Sequence, residues 1–206
     1  MRRSWARLLG VPAVAIGITA GAAIVAPAAF AQTDSAGTVT VTVPLSYVAQ
    51  LAKAGVIVVP VPLSELSVNS ANQTATITFT VTGGDGDVGT FSGQVDLSGK
   101  LHYTAVSGHR VNTVPVRGLD LNLVNADIEG TPAGRSTPVA LLDLNGSIAF
   151  NVTENADNTY AESISASDLT VDPDGAAYLD RALHTKAFVA NQDTGGSMAA
   201  SWTFTP

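Results

Sequence analysis

Residues 99–109 read GKLHYTAVSGH and carry two of the chain's three histidines beside one of its four tyrosines. A phenol and an imidazole side by side are the donor types that ligate ferric iron, or that move a proton. Strand alternation divides the same stretch differently. Leu101, Tyr103 and Ala105 share one face, and His102, Thr104 and Val106 share the other. The first set has core character, so His102 points to solvent from a sheet surface, and His109 follows Gly108 in a turn. A ligand site and a strand with a histidine on its wet side both remain open. Tyr47 poses a similar choice. It sits at the edge of the apolar stripe of PLSYVAQLAKAG, one residue before Val48, where a tyrosine buries its ring and wets its hydroxyl.

Other motifs that could do chemistry lack their context. Gly84-Asp85-Gly86-Asp87-Val88-Gly89 satisfies G-x-G-x-x-G. A dinucleotide site also needs a helix at its end, whereas this chain continues into the strand-like TFSGQVDL. Asp85 with Asp87, and Asp172 with Asp174, offer calcium too few ligands and suit turns and caps better. No G-x-S-x-G elbow and no H-E-x-x-H zinc pattern occurs, and the chain has no cysteine. The sequence therefore reads as non-enzymatic, with no catalytic residue and no metal site. A hydrolase stays as an alternative that only spatial neighbours of His102, His109 or His184 would restore.

The first 31 residues carry Arg2, Arg3 and Arg7 and no acid, then an Ala-rich apolar run ending at Ala29-Phe30-Ala31. This is the pattern of a secretory signal peptide cut before Gln32. A polar leader, 32–37, and a single domain, 38–206, follow. The expected location is extracellular or cell-wall associated, with no membrane span after cleavage. The whole chain has a net charge of −7, and loss of the leader removes only arginines. Nucleic acid and anionic membrane are excluded as partners, because both require clustered Lys and Arg.

Fold class follows from period-two alternation of apolar and hydroxyl residues. Val39, Val41 and Val43 share one face, as do Ala75, Ile77, Phe79 and Val81. Leu119, Leu121 and Leu123 repeat the device, and so do Met198, Ala200, Trp202 and Phe204. Turn residues recur at 83–87, 98–99, 107–108, 131–134 and 194–196. Asn145-Gly146 is the clearest hairpin signal, with apolar residues on both faces of the strands it would join. An antiparallel β-sandwich of two sheets is expected, with two short α-helices as cover. One helix begins near Pro44 and stops at Gly55. The other has Asp172 as N-cap and Pro173 at its first position, with Ala176, Leu179 and Leu183 on one stripe.

Taken in order, five stretches give a family likeness: Ser46-Tyr47-Val48, Gly99-Lys100-Leu101-His102-Tyr103, Leu119 to Leu123, Val139 to Leu144 and Gly175 to Leu183. With these the chain resembles the HtaA-type domain of actinobacterial secreted and surface proteins. The resemblance implies an all-β sandwich with short helices which, in haem-uptake members, binds haem through an axial tyrosine supported by a histidine. The matching positions are Tyr47 as iron ligand and His102 as its hydrogen-bonding partner, with Tyr103 nearby. Two features depart from the pattern. GTVTVTVP lacks the tryptophan that precedes the first strand, and Thr104 to His109 replace a G-H-x-G element. The expected function is a secreted, non-catalytic binding module of the cell envelope, for which the resemblance implies haem as the ligand and no other cofactor is expected. The alternative is an extracellular structural or protein-interaction module without a haem site, whose partner is another extracellular or cell-envelope protein.

Overall fold

The computed structural model describes residues 33–205, and side chains from residue 36 onward. The signal-peptide expectation lies outside the described residues. Ten strands and two short helices follow in the order β1 (Thr33–Pro44), α1 (Leu45–Lys53), β2 (Val56–Val61), β3 (Leu66–Asn69), β4 (Thr74–Gly84), β5 (Gln94–Ser107), β6 (Arg110–Asn122), β7 (Asp127–Pro132), β8 (Val139–Glu154), β9 (Tyr160–Val171), α2 (Pro173–Leu183) and β10 (Asp193–Thr205). The protein is all-β, as the alternation requires.

The expected pair of stacked sheets is instead one sheet closed on itself. Strands pair in the order β5-β6-β7-β8-β9-β10-β1-β4, and β4 pairs with β5 to complete a circuit of eight. Closure joins what would be the two edges of an open eight-stranded sheet. Alternation alone cannot tell the two apart, because both architectures bury one face of every strand. The inward set is the predicted one: Val39, Phe79, Leu121, Met198 and Trp202 are all buried. Outside, Thr42 meets Thr76 at 3.1 Å across β1 and β4, a cross-strand hydroxyl pair on the wet face.

Two details of the sequence reading change. Strand β1 begins at Thr33, where Thr33 lies opposite Thr205 and Gly37 opposite Trp202, so residues expected in a polar leader belong to the barrel seam. A partner strand recruits polar residues into a ladder through backbone bonds that do not depend on side-chain type. Asn145-Gly146 does not turn the chain either. Strand β8 runs through it for 16 residues. Gly146 takes φ +72° in a register shift against β9, a bulge of the kind glycine permits. The Asn145 amide donates to the Thr170 hydroxyl and the Ser147 N–H to the Ser167 hydroxyl, so β9 supplies the bonds a turn would have supplied.

Both helices form where caps and stripes place them, and both follow strands that end at the same end of the barrel. Helix α2 is capped by the Asp172 carboxylate, which accepts from the Asp174 and Gly175 N–H groups. Ala176, Leu179 and Leu183 are buried under it. The opposite end is stopped by the loop between β4 and β5. Val88, fully buried, reaches in there, and its N–H donates to the buried Glu162 carboxylate at 3.1 Å.

Leu121→Ala should cost about 3 kcal/mol in equilibrium denaturation, the penalty of a cavity in a packed interior. Asp172→Ala should cost about 1 kcal/mol, the value of a lost helix cap.

Candidate functional site

Strands β4 and β5 pair with each other only over Val81–Gly84 and Val95–Leu97. Beyond that point they diverge. The rest of β5 pairs with β2, from Lys100 opposite Val61 to Ala105 opposite Val56, while the first part of β4 pairs with β3. A register shift at Ser98-Gly99, read in the sequence as a turn, lets β5 change partner without leaving the sheet. The barrel is thereby open on one side at the end where the helices sit, and α1 lies over the opening.

An apolar cavity of about 270 Å³ fills that opening. Its walls come from α1, α2, β1 to β5 and β7 to β9, with Phe188 from the segment after α2, and every lining residue is aliphatic or aromatic. Tyr47 from α1 and Tyr103 from β5 carry the only polar side-chain atoms among them. Barrel mouths are a recurrent place for small-molecule sites.

The tyrosine rings are packed and their hydroxyls are not satisfied by the protein. Tyr103 is buried and meets Phe188 edge to face at 5.9 Å. Tyr47 is half-buried against the core. Among the described residues no internal hydrogen bond occupies either hydroxyl. Burial pushes the Tyr47 phenol up to about 12, because the anion would lose water. Burial raises Tyr103 as well, and the neighbouring Tyr47 adds to it. Both phenols are therefore neutral donors and acceptors at ordinary pH. Only a ligand that brings positive charge, such as ferric iron, would draw a phenolate from them.

The three residues singled out for a ligand role are divided by the sheet. Tyr47 and Tyr103 line one cavity, whereas His102 is not among its lining residues. Between two inward neighbours, half-buried His102 faces the outside of β5, in register with Val59 and Pro115. His109 is the exposed second residue of the β5–β6 turn, in which Gly108 takes φ +60°. His184 ends α2 in the left-handed conformation. Asp87 accepts from the Gly89 and Thr90 N–H groups, a turn role. The walls that sequence reading missed are β2 and β3. VIVVPV at 56–61 is a run of branched apolar residues after a helix stop, and that signal was available.

A second cluster was also missed, since its members are far apart in the chain. Asp96, Asp120 and Glu129 lie in register across β5, β6 and β7, and Asp127 lies opposite Asp143 across β7 and β8. Asp120 is 7% exposed and Asp127 6%, and each has one carboxyl oxygen with no hydrogen-bond partner. Burial, then the Glu129 carboxylate with which it shares a hydrogen bond, pushes Asp120 up to about 8. Burial and neighbouring carboxylates bring Asp127 to about 7. Asp143, buried in part and hydrogen-bonded to Asp172, rises to about 6. Two carboxyl groups sharing a hydrogen bond must hold a proton between them. Among the described residues no group of His, Asp and Glu is arranged to hold a metal ion.

No family model and no curated protein matches the chain. Among the described residues no helix is long and apolar enough to cross a membrane. Fold and site together define a closed β-barrel with a helix-covered, tyrosine-bearing apolar mouth.

The carboxyl cluster sets a pH dependence. Groups whose folded pKa is raised hold more protons folded than unfolded, so their contribution is complete below the unfolded carboxyl range and is lost as pH rises through about 6, 7 and 8. Denaturation midpoints should therefore fall from pH 5 to pH 9, and Asp120→Asn should flatten the upper part of that fall.

Proposed function

We propose that this protein is a secreted, non-catalytic binding module of the cell envelope, of HtaA type, which takes a small apolar ligand at the mouth of its barrel. The observation that carries the reading is the cavity of about 270 Å³ whose only polar side chains are two tyrosines, with no internal hydrogen bond to either hydroxyl among the described residues. Such a site binds through excluded water and orients through one or two hydrogen bonds. Haem, the ligand the resemblance names, is the first to test, as a macrocycle lying across the opening of the cavity with Tyr47 as the candidate iron ligand and its carboxylates left in water. With His102 on the outer face of β5, Tyr103 is the residue positioned to donate to a Tyr47 phenolate.

Titration of the mature protein with hemin should give a shifted Soret band. Tyr47→Phe should weaken binding by at least tenfold, Tyr103→Phe should perturb the spectrum, and His102→Ala should leave it unchanged. No Soret shift in the parent protein removes haem as the ligand. A spectrum sensitive to His102 but not to Tyr47 removes the assignment of the iron ligand.

A protein-interaction role is the second reading, and a different surface favours it. Leu142 and Leu144, on the stretch of β8 before Asn145, form no exposed patch, since Leu144 is buried and Leu142 packs against the core. Further along β8, Ile148, Phe150 and Val152 are exposed, and Phe150 meets exposed Phe91 edge to face at 5.1 Å. From Ile148 to Glu154 the strand pairs with β9 on one side, and its ladder to β7 stops at Asp143. A free edge with alternating apolar side chains suits an added strand. Recovery of one envelope protein by the parent chain and not by Ile148→Lys would support this reading, and equal recovery by both would remove it.

A further inference from the structure

We infer that the occupant of the barrel-mouth cavity is a single flexible hydrocarbon chain ending in an uncharged oxygen group, such as a chain alcohol or a monoester. The inference rests on the reading of the cavity as the ligand seat and narrows it to one chemical class. Size argues first. About 270 Å³ lies just below the range of pockets that enclose drug-sized molecules. At roughly 30 Å³ for each methylene-sized group it holds about nine of them. A chain can fold into that space, whereas a broad rigid ring system can only lie across its opening.

The walls argue next. No charged side chain lines the cavity, so a carboxylate or phosphate drawn inside would lose its water without a counter-charge. What the cavity does offer is two neutral hydroxyls without internal partners, able to donate to and accept from an alcohol or ester oxygen. The rim continues the apolar surface outward. Val68 is 61% exposed, Ile57 54% and Val48 40%, and all three belong to the lining. Exposed apolar residues that ring a cavity mark the route by which a chain enters and the surface on which its remainder lies.

Calorimetric titration with a series of straight 1-alkanols tests this on the mature protein. Affinity should rise about fourfold with each added methylene, the ratio expected for burying one such group, and should level off near nine or ten carbons. Ala52→Trp and Val68→Trp each place an indole at the rim from an exposed lining position, and both should abolish the series. Ala49→Trp, exposed on the same helix and outside the lining, should leave it intact. Alkanols that do not bind, or that bind without a break in the length dependence or without response to the rim variants, overturn the inference. Titration with 1-naphthol separates that failure from a failure of the seat itself. If naphthol binds and responds to Ala52→Trp while alkanols do not bind, the seat stands and the chain is wrong; if neither binds, both readings fall.

Discussion

Everything about this molecule turns on how little of β4 and β5 meet. The barrel closes through three opposed pairs, Val81 with Leu97, Gly83 with Asp96 and Gly84 with Val95. Each strand then leaves the other for a short partner of its own, β3 or β2. Eight strands give an interior just wide enough for side chains to fill. A complete β4–β5 ladder would have packed this one solid. The early divergence opens one end, and the excess apolar surface so created is roofed by α1 and walled by the two added strands. The cavity is thus a by-product of incomplete closure.

Local rules made much of this legible. Alternation identified the inward faces of β1, β4, β6 and β10, and cap chemistry placed both helices, down to Asp172 and Pro173. What stayed hidden was non-local. Whether half-buried strands stack as two sheets or close as one depends on which strands meet around the circuit, and periodicity is identical in both cases. Asn145-Gly146 is the strongest hairpin signal in the chain, yet a long partner in β9 overrode it, because eleven registered pairs outweigh one turn preference. The candidate site was half legible. Tyr47 and Tyr103 were singled out for their chemistry and do share a cavity, but alternation had already put His102 and Tyr103 on opposite faces of β5, and the structure keeps them there. The carboxyl cluster was invisible, since register across four strands assembles it.

Two kinds of buried polar group divide the molecule. At the mouth, phenols are held neutral in an apolar wall and face a space large enough for a guest. Across β5 to β8, carboxyl groups are buried and crowded against one another. The first arrangement stores hydrogen-bonding capacity that a bound molecule can use. The second stores electrostatic repulsion that protons relieve. Both sets belong to the same barrel wall, in which β5 contributes Tyr103 inward and Asp96 outward.

The seam between β1 and β10 joins the two extremes of the barrel's sequence, with Thr33 opposite Thr205. A ribosome delivers these partners in the opposite order from the one assembly needs: the first strand emerges early and waits for nearly the whole domain before its neighbour exists. Contacts of such long separation form slowly. Until the final strand is synthesised the nascent polypeptide has no closed form to adopt, and Val39 and Val41 stay uncovered on that side. The barrel therefore cannot close until β10 has been made, however early β1 emerges.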